Sequence, residues 1–152
     1  MRKELIAATI ALAALAAPTA TNAAEVQVKM LNHGNAGAFV FEPALVKINL
    51  GDSVKFVAVD KAHNVESIAG MLPAGATPFK APMGKDLTVT FSKPGVYGYK
   101  CLPHYALGMV GLVVVGNPGN VAAAKAVNQL GRAKTVFAGL FAKLDSAQTA
   151  AK

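Results

Sequence analysis

Residues 96–115 read VYGYKCLPHYALGMVGLVVV, which is two β-rich runs on either side of a short loop. The runs at 96–100 and 111–115 are rich in valine and tyrosine, residues that favour strands. The loop at 101–109 contains proline and glycine, which favour an irregular connection over a helix. We therefore expect two strands here, joined by a loop that starts at a cysteine and ends at a methionine.

Short runs of the same kind occur upstream and predict an all-β fold. They lie at 26–30, 38–41, 45–50, 54–59 and 87–91. Several alternate between polar and apolar residues, as a strand with one buried face should. A small Greek-key sandwich or barrel fits this spacing. The connection at 60–86 is long for a compact domain, so we expect it to be functional or to contain a short helix.

The composition becomes alanine-rich after Gly119, and apolar residues there recur at helical spacing. The pattern predicts helices at 121–130 and 132–144, broken at Gly131. We expect both helices to pack on the sandwich and cover part of a sheet face, without chemistry of their own. A chain of 152 residues with no repeat or low-complexity linker fits one domain.

The N-terminus has the order of a secretory signal peptide. A basic start is followed by the uncharged apolar run LIAATIALAALAA at 5–17, then by Pro18 and small residues. We place cleavage between Ala23 and Ala24, which makes 1–23 the leader. A buried helix or membrane anchor is the alternative, but the run is short for a bilayer span of about 20 residues. No cysteine stands directly after the run to carry a lipid at the new N-terminus, so we expect an exported protein without a membrane anchor.

The charge balance favours an acidic protein partner. Removing the leader takes two of the 15 basic and one of the 8 acidic side chains, which leaves 13 and 7 and a net charge of +6. Export and the absence of a basic run argue against nucleic acid. Lys61, Lys80 and Lys100 lie close in sequence to the candidate site residues described below. We expect a monomer that binds neither nucleic acid nor membrane and docks to acidic partners.

Cys101 is the only cysteine, which excludes an internal disulfide in an oxidising compartment. It is therefore buried and inert, a nucleophile or a metal ligand. His104 and Met109 follow it on the same loop, and a thiolate, an imidazole and a thioether suit copper. Zinc rarely accepts a thioether. A blue copper site needs a second histidine, either His33 or His63, and His63 is favoured because it follows the strand at 54–59.

Two other functional classes use the same residue types. A copper carrier or storage protein favours methionine-rich or open sites that release the metal, whereas two histidines, a cysteine and one methionine in a sandwich favour retention. A cysteine–histidine hydrolase would use Cys101 as its nucleophile. The sequence shows no convincing orienting group or oxyanion loop for such an enzyme. We therefore expect an electron-transfer protein and no enzyme.

The segments HNVESI at 63–68 and YKCLPHY at 99–105, with Gly108 and Met109, resemble the cupredoxins. The resemblance implies an eight-stranded Greek-key sandwich with two C-terminal helices and one type 1 copper ion held by His63, Cys101, His104 and Met109. It also implies a plastocyanin-like domain at 24–152, divided into a sandwich at 24–117 and a helical extension at 118–152. Members with such an extension carry electrons in the periplasm of denitrifying bacteria, typically to nitrite reductases.

The resemblance also gives roles to residues around the ligands. The residue that matches Asn64 hydrogen-bonds across the site and supports the thiolate. Three positions depart from the common pattern: Leu102, Phe39 and His33. Phe39 stands where a methionine often approaches the exposed histidine, so we expect its ring near His104. These departures affect the tuning of potential and docking rather than the metal.

Overall fold

The computed structural model describes residues 22–150. The predicted leader lies almost entirely outside the described residues, and cleavage after Ala23 stays a prediction. The described part of the chain forms eight strands and two helices. The strands are β1 (Glu25–Gly34), β2 (Gly37–Glu42), β3 (Leu45–Ile48), β4 (Ser53–Val57), β5 (Glu66–Ser67), β6 (Leu87–Thr90), β7 (Gly95–Lys100) and β8 (Val110–Val115), and the helices are α1 (Val121–Lys125) and α2 (Ala133–Ala150).

The strands form two four-stranded sheets, in the orders β2-β1-β4-β6 and β3-β8-β7-β5. β1 pairs in parallel with β4, and β3 pairs in parallel with β8, while the other neighbours are antiparallel. Since sequence neighbours such as β2 and β3 lie in different sheets, the chain crosses between the sheets in a Greek-key manner. This architecture confirms the expected eight-stranded sandwich.

The burial of β4 and β8 shows how the two sheets differ. In β4, Val54 and Phe56 are fully buried, while the alternate residues Ser53, Lys55 and Val57 are partly exposed, as the alternation predicts. Every residue of β8 is buried. Val113 belongs to the core between the sheets, whereas Leu112 belongs to a second apolar cluster on the outer face. β8 therefore has no polar face, because both of its faces are covered.

The two helices cover that outer face, which confirms the expected packing. Their buried side chains join β7 and β8 in the second cluster: Ala124, Ala133, Phe137, Leu140, Phe141 and Leu144. The helix bounds differ from the prediction, because α1 ends at Lys125 and α2 continues to Ala150. α2 continues for six residues after Leu144, its last buried residue, and there the hydroxyls of Ser146 and Thr149 donate to carbonyls one turn earlier. No helix within residues 22–150 is long and apolar enough to cross a membrane.

The long connection contains β5, which the sequence did not reveal, and residues 58–86 form no helix. β5 is too short, at two residues, to produce a periodic pattern. It pairs with β7 and makes an isolated bridge between Glu66 and Lys80. The amide of Ser67 donates to the carbonyl of Phe79 at 2.9 Å, and the amide of Ala81 donates to the carbonyl of Val65 at 2.8 Å. Hydrogen bonds therefore attach this connection to the edge of the sheet that contains β7.

We predict that Gly111→Ala destabilises the fold by about 1–3 kcal/mol, the usual cost of overpacking a core. A Cβ at Gly111 would overlap the ring of Tyr99, which is fully buried and packs edge-on against Phe41 at 4.8 Å. Chemical denaturation measures the change. Gly139→Ala is the matched control. A Cβ at this position in α2 would meet no atom within 4 Å apart from its chain neighbours and the backbone of its own helix, so the change should be neutral or stabilising. Equal stability of the two variants would contradict the prediction.

Candidate metal centre

Three of the four candidate ligands converge at one end of the sandwich. The ligand atoms of His63, Cys101 and His104 all lie within 4.8 Å of one another. The Nδ1 atoms of the two histidines are 3.1 Å apart, and the Cys101 sulfur lies 3.8 Å from the first and 3.6 Å from the second. His63 comes from the connection between β4 and β5, whereas Cys101 and His104 come from the loop between β7 and β8. We call residues 101–109 the ligand loop.

These separations suit a single metal ion. A tetrahedral ion with nitrogen and sulfur bonds of about 2.0 and 2.3 Å places two nitrogens ~3.3 Å apart and nitrogen and sulfur ~3.5 Å apart. The observed distances of 3.1, 3.6 and 3.8 Å are close to those values. The arrangement can therefore hold one ion with little movement of the three side chains.

Met109 ends the ligand loop and is fully buried. Its amide donates to the carbonyl of His104 at 3.1 Å, and its carbonyl accepts from the amide of Cys101 at 3.0 Å. The loop therefore closes on itself, so that its first and last residues lie side by side. Met109 also belongs to the core between the sheets, together with Cys101. The candidate site is thus continuous with the hydrophobic core.

His33, the alternative histidine, is on β1 with an exposed side chain. It is not part of the histidine and cysteine cluster, which is the one such cluster found within residues 22–150. β1 continues past His33 to Gly34, which pairs with Gly37. The structure therefore brings His63, and not His33, to the ligand loop.

Asn32 orients His63, a role that sequence reasoning missed. The Nε2 atom of His63 lies 2.9 Å from Oδ1 of Asn32. Because a carbonyl oxygen accepts, Nε2 carries the proton and Nδ1 presents its lone pair to the cluster. The amide of Asn32 in turn donates to Oδ2 of Asp60 at 2.6 Å. No local pattern signals this contact, because 31 residues separate the two side chains.

His63 is fully buried, and its pKa is lowered. Burial is the main cause, the nearby His104 adds to it, and Asp60 opposes it. Desolvation disfavours the charged imidazolium. His63 is therefore neutral near pH 7, which is the form that binds a metal.

Burial also raises the pKa of the Cys101 thiol. The backbone N–H groups of Asn64 and His104 point at the sulfur and lower the pKa in part, whereas the charge of Glu66 raises it. A nucleophilic cysteine needs a lowered pKa, whereas the pKa of Cys101 is raised. A bound cation would supply the missing stabilisation of the thiolate. The three donor atoms therefore suit a bound cation.

The side chain of Asn64 ties the two ligand segments together. Its Oδ1 accepts a hydrogen bond from the amide of Leu102 at 2.8 Å, which links the His63 segment to the start of the ligand loop. With the N–H at the sulfur, this contact agrees with the role implied by the resemblance. Outer contacts of this kind hold ligands in place before a metal binds.

Phe39 stacks on the ring of His104, with centroids 4.3 Å apart and planes 9° from parallel. Its φ of 52° lies in the left-handed region, which a bulky residue seldom adopts. The β1–β2 register skips the pair of Asn32 and Phe39. The strand pairing is therefore interrupted at these two residues. Asn32 contacts His63 there, and Phe39 contacts His104. The sequence indicated the proximity of Phe39 to His104 but not its unusual backbone.

Ionic contacts surround the half-buried Glu66 beside the site. Its carboxylate lies 3.2 Å from Nζ of Lys80 and 3.5 Å from Nζ of Lys100. Lys100 also lies over the ring of Tyr105, 4.7 Å from its centroid. The exposed fraction of the Lys80 side chain is 66%, against 21% for Lys100, so Lys80 is much the more accessible to a partner.

The chain matches the family model described as copper binding proteins of the plastocyanin/azurin family over residues 28–116. It is 52% identical to a pseudoazurin of Methylorubrum extorquens over 126 residues, which cover 82% of this chain and 85% of the relative. It is also 52% identical to a pseudoazurin of Paracoccus pantotrophus, over 80% of this chain and 83% of that one.

Solved structures give the same result. A pseudoazurin from Sinorhizobium superposes with a TM-score of 0.79 at 43% identity, covering 81% of this chain and 98% of the other. The native pseudoazurin of Hyphomicrobium denitrificans superposes with a TM-score of 0.75 at 43% identity, covering 78% and 97%. The match therefore includes both the sandwich and most of the helical extension. The chain belongs to the copper-binding plastocyanin/azurin family and, within it, to the pseudoazurins.

Proposed function

We propose that His63, Cys101, His104 and Met109 hold one type 1 copper ion and that the protein carries single electrons in the periplasm to enzymes of denitrification such as nitrite reductase. The observation that carries the proposal is the convergence of two imidazole Nδ1 atoms on a buried thiol, with the two nitrogens 3.1 Å apart. Two histidines and a cysteine with a weak axial methionine are the donor set of blue copper electron-transfer sites.

Bound copper supplies reversible one-electron chemistry, and the side chains around it keep the ligand positions nearly constant. Asn32 holds the ring of His63, and Asn64 links that segment to Leu102. Phe39 lies flat on His104. Since none of these contacts is made through the metal, they can persist in both oxidation states, and little atomic rearrangement would then oppose an electron transfer. No substrate bond is made or broken, so the proposed role is that of a carrier and not of an enzyme.

The burial of the site supports retention of the metal rather than delivery. His63, Cys101 and Met109 are each fully buried. His104 is partly exposed and is the candidate ligand nearest to solvent. A carrier or storage protein that releases copper would need a more open site. The same difference in exposure makes the edge of His104 the proposed route for electrons.

The surface around the ligand loop supports docking to a protein partner. Leu102 and Leu107 are about half exposed, at 52% and 50%, and Pro103 is exposed beside them. Small apolar surfaces suit the short-lived encounters of electron carriers. The surplus of basic residues after removal of the leader, and Lys61 and Lys80 near the site, support steering by an acidic partner. The signal-peptide pattern at 1–23 supports the periplasm.

We predict that adding Cu(II) to the mature protein produces an intense blue thiolate-to-copper absorption and that Cys101→Ser abolishes it. The thiolate is the source of the band, so its loss removes the colour completely. His33→Asn is the matched control and should stay blue, because His33 lies outside the cluster. Visible absorption spectroscopy measures all three proteins. A colourless wild-type complex would disprove the proposed copper centre.

We predict that Met109→Gln keeps copper but lowers the reduction potential. An amide oxygen is harder than a thioether and stabilises Cu(II) relative to Cu(I). Each tenfold change in relative affinity for the two ions shifts a one-electron potential by about 59 mV. Voltammetry measures the shift. Met83→Gln serves as the control, because Met83 is half exposed on the surface. An unchanged potential in Met109→Gln would remove Met109 from the proposed ligand set.

We predict that raising the ionic strength from about 0.01 to 0.15 M slows electron transfer to copper nitrite reductase, since the Debye length falls from ~30 to ~8 Å. Lys80→Gln should lower the rate at low salt and weaken its salt dependence. Lys93→Gln removes the same charge before the start of β7, at the opposite end of that strand from Cys101, and should have little effect. Stopped-flow kinetics provide the test, and a rate that ignores salt would refute electrostatic steering.

A further inference from the structure

The segment between α1 and α2, residues 126–132, leaves the helical layer and contacts the ligand loop. We call this segment the helix linker. We propose that the helix linker positions the ligand loop and, through it, the metal centre, with Gln129 and Gly131 as the positioning residues. The inference rests on the proposed copper function and extends it to a part of the chain that the sequence analysis expected to be only a cover for the sheet.

The first contact joins Gln129 to Tyr105, the residue that follows His104. The hydroxyl of Tyr105 donates to Oε1 of Gln129 at 2.5 Å. The Nε2 atom of Gln129 lies 3.1 Å from the sulfur of the fully buried Met71. It also donates to the carbonyl of Val127 at 3.2 Å. Gln129 is therefore itself anchored, so it can restrain Tyr105.

The second contact joins backbone to backbone. The amide of Arg132 donates to the carbonyl of Ala106 at 2.9 Å. Gly131 has a φ of 50°, and a Cβ there would lie 2.6 Å from the oxygen of Ala106. Only glycine accepts both this backbone conformation and this close approach. The ligand loop has the complementary feature, because a Cβ at Gly108 would lie 3.0 Å from Cγ2 of Val136 at the start of α2.

Several side chains of the ligand loop are exposed and do not anchor it in the core, so contacts with the helix linker help to hold its conformation. Leu102, Pro103, Ala106 and Leu107 are exposed. Within the loop, the carbonyl of His104 accepts from the amides of Leu107 and Met109, each at 3.1 Å. Asn64 holds the start of the loop, and the helix linker holds its middle.

Restraint of residues 105 and 106 therefore passes directly to the backbone of His104 and, through its carbonyl, to Met109. A loop that keeps its conformation without the metal is also one that rearranges little when the oxidation state changes. The proposed role of the helix linker is thus to limit rearrangement, not to contact the metal.

The test compares Gly131→Ala with Gly139→Ala in the mature protein. A Cβ at Gly139 would meet no atom within 4 Å apart from its chain neighbours and the backbone of its own helix, so alanine there alters α2 without touching the ligand loop. In metal-free protein, we expect Gly131→Ala to speed amide hydrogen exchange at Leu107, Gly108 and Met109 about fivefold, the change that one neutral hydrogen bond typically carries. With copper bound, we expect a shifted thiolate-to-copper band and slower electron self-exchange. Gly139→Ala should match wild type in every measurement.

A second pair of variants decides the matter if Gly131→Ala does not fold. Tyr105→Phe and Gln129→Ala each remove one side of the hydrogen bond. Because Gln129 also contacts Met71 and Val127, the double variant should be no more affected than Gln129→Ala alone. A structural role alone would lower thermal stability but leave loop exchange, band position and self-exchange unchanged. Wild-type values in these variants would overturn the inference. A wild-type protein that forms no blue complex would instead disprove the proposed function, so the two failures are distinguishable.

Discussion

The Nδ1 atoms of His63 and His104 face each other at 3.1 Å beside the buried sulfur of Cys101. The Nε2 proton of His63 is held by Asn32, so the lone pair on its Nδ1 has to point into this cluster. A positive charge between the two ring nitrogens and the desolvated thiol would stabilise these electron-pair donors. A metal cation supplies it, and metal binding is then linked to the stability of the fold that created the cluster.

The rest of the structure maintains that proximity. The sheet containing β1 and β2 contributes Asn32 and Phe39, one contact for each imidazole ring. The other sheet contributes the ligand loop between β7 and β8. The carbonyl of His63 accepts from the amide of Gly84 at 2.8 Å, which holds the backbone of the connection between β4 and β5 at His63. Ligand positions are thus set by both layers of the sandwich, whose packed core resists deformation.

The proposed electron transfer uses a site in which three candidate ligands are buried and one, His104, is partly exposed. The buried ligands keep water from the sulfur, while the partly exposed His104 approaches the surface between apolar side chains of the ligand loop. Glu66 forms ion pairs with Lys80 and Lys100. The proposed docking surface combines the exposed apolar side chains of Leu102 and Leu107 with the exposed Lys80, and the proposed role of the helix linker is to position the loop that carries the two leucines.

The sequence by itself determined what depends on near neighbours. Strand periodicity predicted seven of the eight strands, and the donor types at Cys101, His104 and Met109 predicted copper, because a short loop can present three side chains to one ion. The tertiary structure decided what depends on distant neighbours: Asn32 as the partner of His63, the left-handed backbone of Phe39, the two-residue β5 and the contact of the helix linker with the ligand loop. Such contacts join residues about 12 to 38 positions apart, and they follow from the register and stacking of the sheets, which no local pattern encodes.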